Sequence, residues 1–193
     1  MRSDAMRFLG AFLRNPRTVG AVLPSSRFLA RALAGNLGLR PGDLVVEYGP
    51  GTGPMTQVLA EQLGHDIRYL GIEREARFCA RLQERFPGLP VHQGSVEDVE
   101  RILADRGLGS ARVIVSGLPF ASLPETVQGR VVEGTRAVLA PDGEFRTFQY
   151  VHAYPLRSAR RFRDAMARRF GRFERSRPIT RNVPPAYVLS YRP

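Results

Sequence analysis

Ten residues do most to limit what this chain can fold into: Leu44-Val45-Val46-Glu47-Tyr48-Gly49-Pro50-Gly51-Thr52-Gly53. Leu44–Tyr48 is a short apolar run after the turn Arg40-Pro41-Gly42-Asp43, which suits a strand buried on both faces of a parallel sheet. Three glycines follow at alternate positions, and Pro54 then opens a helical pattern. Proline is comfortable in the first helical turn, where its missing N–H is not needed. A strand, a glycine turn and a helix start form a ligand-binding crossover, because glycine lets the backbone turn tightly and approach a ligand closely. The spacing argues against two common ligands. A dinucleotide fingerprint needs glycine at position 54, and a triphosphate loop ends in Gly-Lys-Ser/Thr; neither is present.

The rest of the chain repeats that rhythm. A helix is expected from Ser25 or Ser26, either of which can cap it, to about Gly38. Helices are expected near 54–63, 75–86, 96–106, 124–140 and 157–170. Strands are expected at 67–72, 90–92, 112–116 and after Pro141-Asp142-Gly143. Phe173–Ile179 and Tyr187–Tyr191 read as a terminal antiparallel hairpin. Alternating strands and helices imply an α/β fold, a doubly wound, mostly parallel sheet with helices on both faces. The 193 residues, 43% of them hydrophobic, fit one domain spanning 1–193.

Twenty-nine basic residues against 18 acidic ones give a net charge of +11, and every basic residue is arginine. Such a surplus favours a polyanionic partner, either nucleic acid or a membrane rich in anionic lipid. The single cysteine, Cys79, allows no internal disulfide and lies in a helical pattern as a buried thiol. His65, His92 and His152 show no metal-ligand spacing, so no metal is expected. No stretch is long and apolar enough to span a bilayer, and the N-terminus lacks the pattern of a signal peptide. These features point to a cytoplasmic location.

Two carboxylates flank the glycine turn in strand-end positions. Glu73 ends the second strand, where it could accept hydrogen bonds from both hydroxyls of a ribose. Glu47 precedes the turn and could face a positively charged part of the ligand.

Glu47–Gly53 with Met55-Thr56, then Gly71-Ile72-Glu73, Gly94-Ser95 and Ser116-Gly117-Leu118-Pro119-Phe120, resemble the ordered motifs of class I methyltransferases, a Rossmann-like seven-stranded fold. Within that superfamily the chain is similar to the ribosomal RNA adenine dimethylases and to the bacterial phospholipid N-methyltransferases, which methylate phosphatidylethanolamine towards phosphatidylcholine. Three features favour the lipid enzymes. Phe12-Leu13-Arg14-Asn15-Pro16 and Gly20-Ala21-Val22-Leu23-Pro24-Ser25-Ser26 look like their N-terminal segment. Gly117 stands where the dimethylases carry an Asn that orients a planar base amine. Asn182-Val183-Pro184-Pro185-Ala186 looks like their ending, so the helical RNA-binding domain usual in dimethylases is not expected.

The resemblance implies S-adenosyl-L-methionine as cofactor, with S-adenosylhomocysteine as product. Its pocket would be formed by Glu47, Gly49, Gly51, Gly53, Glu73 and Arg74, by Gly94, Ser95 and Val96, and by Ser116, Gly117, Leu118 and Pro119. Class I enzymes often use an Asp after the third strand for the adenine amino group. Ser95 stands there instead, with the Val96 backbone or Glu97 able to share that role. Phe120 and Tyr154 are candidates to present an aromatic face to the increasingly cationic nitrogen. His152 or Tyr154 is a candidate to take the amine's proton.

The phospholipid reading implies a chain peripherally associated with the inner face of the cell membrane. Residues 1–24 would form an amphipathic membrane-binding helix and loop, with Phe8, Leu9, Phe12 and Leu13 on one face and arginines outside it. The segment 157–170 offers six arginines around Phe162, Met166 and Phe170, a stripe that serves either a membrane or the sheet. Nucleic acid is not the expected partner. Two other readings share these features: an RNA adenine N6-methyltransferase-like enzyme, and a non-catalytic membrane-binding protein on the same fold.

Overall fold

The computed structural model describes residues 26–193. The amphipathic helix expected within 1–24 therefore lies outside the described residues. Seven strands form one sheet: β1 (Leu44–Tyr48), β2 (Arg68–Glu73), β3 (Val91–Gln93), β4 (Ala111–Ser116), β5 (Leu139–Tyr150), β6 (Arg172–Arg175) and β7 (Ala186–Arg192). Their order across the sheet is β3-β2-β1-β4-β5-β7-β6, and β7 runs antiparallel to both of its neighbours. The strand order reverses between β1 and β4, and in open α/β sheets a ligand crevice lies outside the C-terminal ends of the strands at such a switch point.

The helices are α1 (Arg27–Ala34), α2 (Pro54–Ala60), α3 (Ala76–Arg85), α4 (Val99–Asp105), α5 (Glu125–Val138) and α6 (Arg157–Arg169). Alternation along the strands splits the core in two. Leu44, Val46 and Tyr48 of β1 join α4, α5 and α6 residues in one cluster; Val45 joins α1 and α2 residues in the other. The α6 stripe is part of the first cluster: Phe162, Met166 and Phe170 are all buried. It covers the sheet and is not available to a membrane.

Several boundaries differ from the sequence expectation for local reasons. Helix α1 starts where expected, with Ser26 Oγ accepting from Leu29 N–H at 3.2 Å. It ends at Ala34, not near Gly38, because Gly35 is already extended and Asn36 and Gly38 beyond it take positive φ. The expected helix at 96–106 starts as a single 3-10 turn, Val96–Asp98, capped by Ser95. Strand β5 begins at Leu139, before Pro141-Asp142-Gly143, and takes these residues up in an irregularity of its pairing with β4. The terminal hairpin is present, with β6 shorter than expected.

Candidate functional site

Strand register assembles the site. Tyr48 pairs with Ile72 on one side and Ser116 on the other, so the loops after β1, β2 and β4 leave the sheet at one level. Three backbone bonds stitch them together. Gly49 N–H donates to Ile72 O at 2.9 Å, Gly117 N–H donates to Tyr48 O at 2.9 Å, and Gly94 N–H donates to Glu73 O at 2.9 Å.

Gly49, Gly51 and Gly53 all adopt left-handed backbone, with φ of 63°, 58° and 85°. The approach of the two loops is closest at Gly49 and Gly117. A Cβ on Gly49 would stand 2.8 Å from Leu118 Cδ2. One on Gly117 would meet Met55 Cε at 2.9 Å and Gly49 O at 3.0 Å. The missing side chain at position 117 therefore has a packing cause: the two loops touch there. Ser116 is buried and its Oγ accepts from Leu118 N–H at 3.2 Å, which turns the chain towards Pro119.

Glu73 is 4% exposed, and both of its oxygens accept backbone bonds while Oε2 keeps a second acceptor site. Its Oε2 accepts from Gly51 N–H at 2.9 Å, and its Oε1 accepts from Arg74 N–H at 2.8 Å and Glu75 N–H at 2.9 Å. One carboxylate thus fixes both the glycine loop and the start of α3. Glu47 behaves differently. It is completely buried; Oε2 accepts from Thr56 Oγ1 at 2.9 Å and Tyr69 OH at 2.7 Å, while Oε1 has no partner. Burial pushes its carboxyl up to about 7; the bonds from Tyr69 and Thr56 pull it down, and the nearby Glu73 charge adds to the rise. Thr56 stands in the motif of the resemblance without an assigned role, and Tyr69 was not among the sequence candidates. Only a fold that places them around Glu47 reveals their part.

At the end of β3, a Cβ on Gly94 would stand 2.7 Å from His92 Nε2. Ser95 Oγ accepts from Glu97 N–H at 3.3 Å, so its hydroxyl caps the following turn. Val96 is buried in the core. Glu97 pairs with Arg130. Thr52 and Pro54, beside the glycine loop, also line an open cleft of about 330 Å³ between α1 and α2, bordered by Arg27, Arg31 and Arg85.

The three aromatic candidates do not converge. Phe120 is 1% exposed and stacks on Phe162 with centroids 4.2 Å apart and planes 14° apart, while Phe145 meets its edge. One face of its ring is therefore core surface, taken by Phe162. Tyr154 packs against the first cluster under the Arg163 guanidinium, 3.7 Å from the ring centroid, with Tyr187 at its edge. A cation already occupies that ring. His152 is exposed and stacks on Tyr150, which packs against the other cluster. His152 and Tyr154 thus belong to opposite faces of the sheet.

Gln128 was missed by sequence reasoning. Buried on α5, it donates from Nε2 to Phe120 O at 2.7 Å and Leu123 O at 3.0 Å, pinning the loop after β4. A lone glutamine among Val127, Val131 and Val132 was the available signal. Among the described residues no group of His, Cys, Asp and Glu could hold a metal ion, and no helix is long and apolar enough to cross a membrane.

The family profile described as a methyltransferase domain matches residues 45–143. The chain is similar to an ornithine lipid N-methyltransferase from Singulisphaera acidiphila, at 35% identity over 95% of this chain and 93% of that protein. It is also similar to ribosomal RNA small subunit methyltransferase A from Aromatoleum aromaticum, at 38% identity, over only 42% of this chain and 28% of that one. Among solved structures, an O-methyltransferase from Bacillus cereus superposes with a TM-score of 0.65 at 13% identity, covering 100% of this chain and 92% of its own.

Proposed function

The chain belongs to the class I S-adenosylmethionine-dependent methyltransferases, and from that premise we propose that it methylates the headgroup amine of phosphatidylethanolamine and of its methylated intermediates at a membrane surface. The observation that supports the lipid reading is the nearly full-length similarity, at 35% identity, to a lipid N-methyltransferase, where ribosomal RNA enzymes match over 42% to 68% of the chain and over less than half of their own length. That relative's own substrate, an ornithine lipid, also favours a second reading in which this chain accepts the amine of an ornithine lipid.

The residues fit the cofactor. Gly49, Gly51 and Gly53 leave a backbone cradle free of side chains, and Glu73 stands beside it as a strand-end acceptor for ribose hydroxyls. Glu47, with one buried unpartnered oxygen and a carboxyl that burial pushes up to about 7, would be drawn into its charged form by the cationic end of the cofactor. Arg74, Gly94, Ser95 and Val96 would form the adenosine side, and Ser116, Gly117, Leu118 and Pro119 the methyl side. S-adenosylmethionine supplies an electrophilic methyl group on a sulfonium centre. The protein's part is to hold a neutral amine in line and to exclude water. In the loop after β4, the carbonyls of Leu118, Pro119 and Phe120 already accept from Phe120 N–H, Ser122 N–H and Gln128. Gly117 O has no partner among the described residues and would accept an N–H of the incoming amine. His152, exposed on the same edge, would relay the proton to solvent.

The reading places the protein in the cytoplasm, peripherally on the inner face of the cell membrane. Incubation with labelled S-adenosylmethionine and, separately, phosphatidylethanolamine vesicles, ornithine lipid vesicles and RNA tests it. Label in phosphatidylethanolamine is expected; label in RNA alone would sink the lipid reading.

A further inference from the structure

Three large apolar side chains stand out as exposed among the described residues: Leu156 at 51%, Phe173 at 42% and Val183 at 70%. Two of them share an edge with the glycine loop. Strand β5 runs parallel to β4 and β1, so Leu156 follows its C-terminal end. Strand β7 runs the other way, so Val183 precedes its first residue at the same edge. Val151 N–H donates to Pro185 O at 2.9 Å, joining the two turns. Ser26 N–H donates to Asn182 Oδ1 at 2.9 Å, which brings the start of α1 into the same rim.

Charge follows the same division. Arg27 and Arg181 each hold a guanidinium 5.0 Å from the Phe28 ring centroid, and Arg157 follows Leu156. None of the three is paired with a carboxylate among the described residues, although Arg161, one turn along α6, meets Glu125 at 3.1 Å. At the opposite edge, arginines are neutralised: Arg112 by Asp142 at 3.3 Å, Arg172 by Glu174 at 2.7 Å and Arg192 by Glu144 at 3.2 Å. Exposed aliphatic side chains among uncompensated guanidinium groups match the interface of an anionic bilayer, where the apolar groups enter the acyl boundary and the cations meet phosphates.

We propose that this rim, with Phe28, Leu156 and Val183 set among Arg27, Arg157 and Arg181, is the surface by which the chain docks on an anionic lipid bilayer. The identity of that surface rests on the lipid reading above. Docked in this way, the crevice faces the headgroups, and an acceptor amine reaches it without leaving the membrane.

Sedimentation of the full chain with vesicles of phosphatidylcholine, with and without phosphatidylglycerol, tests the proposal. Binding is expected only with phosphatidylglycerol and should weaken with salt. Leu156→Ser with Val183→Ser, and separately Arg157→Ser with Arg181→Ser, should each lower partitioning by about tenfold. Arg136→Ser, an exposed arginine near the far end of α5, should bind as the parent does. Methyl transfer to phosphatidylethanolamine in detergent micelles should be unchanged in both rim variants. The proposal is overturned if the parent does not bind, if both rim variants bind like the parent, if Arg136→Ser loses as much, or if the rim variants fail equally in micelles. A parent that binds through the rim yet methylates no lipid would overturn the substrate reading and leave the docking surface standing.

Discussion

The two halves of the crevice are built from different materials. On the side of β1, β2 and β3, the groups proposed to bind the cofactor are backbone atoms and strand-end carboxylates. Their places follow from parallel register, as where Gly51 N–H meets Glu73 Oε2 at 2.9 Å. On the side of β4 and β5, aromatic side chains dominate, and packing has already claimed a ring face of each. Phe120 lies against Phe162, and Tyr154 lies beneath Arg163. The difference teaches that a donor pocket set by backbone conformation can stay constant while an acceptor side set by side-chain direction changes. Two enzymes with the same glycine loop can therefore act on different amines.

The largest effect that could break this comparison lies in the donor half. Gly51→Val places a β-branched residue at φ 58°, where L side chains are strained, in the loop held by Glu73. Calorimetry should find no S-adenosylmethionine binding; retained affinity would mean that backbone conformation does not set the pocket. The matching change across the crevice is Phe120→Ala. As a core ring it should cost about 3–5 kcal/mol of stability in urea unfolding. Cofactor affinity of the fraction that remains folded should stay near the parent's. A variant with parental stability and altered acceptor preference would return Phe120 to the acceptor role.

The same division explains what was readable beforehand. Leu44–Gly53 announces its strand and turn because an apolar run and clustered glycines are local signals, and the sheet class follows from alternation repeated along the chain. Glu73 is found by its distance from the loop. The acceptor half offered residue types without directions: Phe120, Tyr154 and His152 suit amine chemistry, but which face of the sheet each meets depends on contacts with Phe162, Arg163 and Tyr150. Tyr69, Gln128 and the role of Thr56 escaped for a related reason. Each acts on a partner, Glu47 or the Phe120 carbonyl, that only the fold brings within reach.

Glu47 sharpens the comparison through pH. Its folded carboxyl titrates near 7 against an ordinary 4.5, so between those values the folded protein holds a proton that the unfolded chain has released. Stability of the cofactor-free protein should therefore fall as pH rises from 4.5 through 7, by up to about 3 kcal/mol, and level off above. Glu47→Gln should flatten that slope in urea titrations across the same range. An unchanged slope would place the proton elsewhere and leave the buried Oε1 without this consequence.

The smallest expected effect tests the acceptor half most directly. The Tyr154 ring meets the Arg163 guanidinium at 3.7 Å and that of Arg175 at 5.0 Å, with Tyr187 in a T-shaped contact, and its hydroxyl makes no hydrogen bond among the described residues. Tyr154→Phe keeps the ring and its cation while removing only the hydroxyl. Stability should shift by no more than about 0.5 kcal/mol, and methyl transfer should proceed at the parental rate. Tyr154→Leu, which removes the π-face, should cost about 1 kcal/mol through the lost Arg163 contact. A fall in rate of about 100-fold in Tyr154→Phe, the size expected for a lost proton-transfer group, would show that this half carries side-chain chemistry as well as packing. Its contrast with the backbone-built donor half would then narrow to the core ring of Phe120.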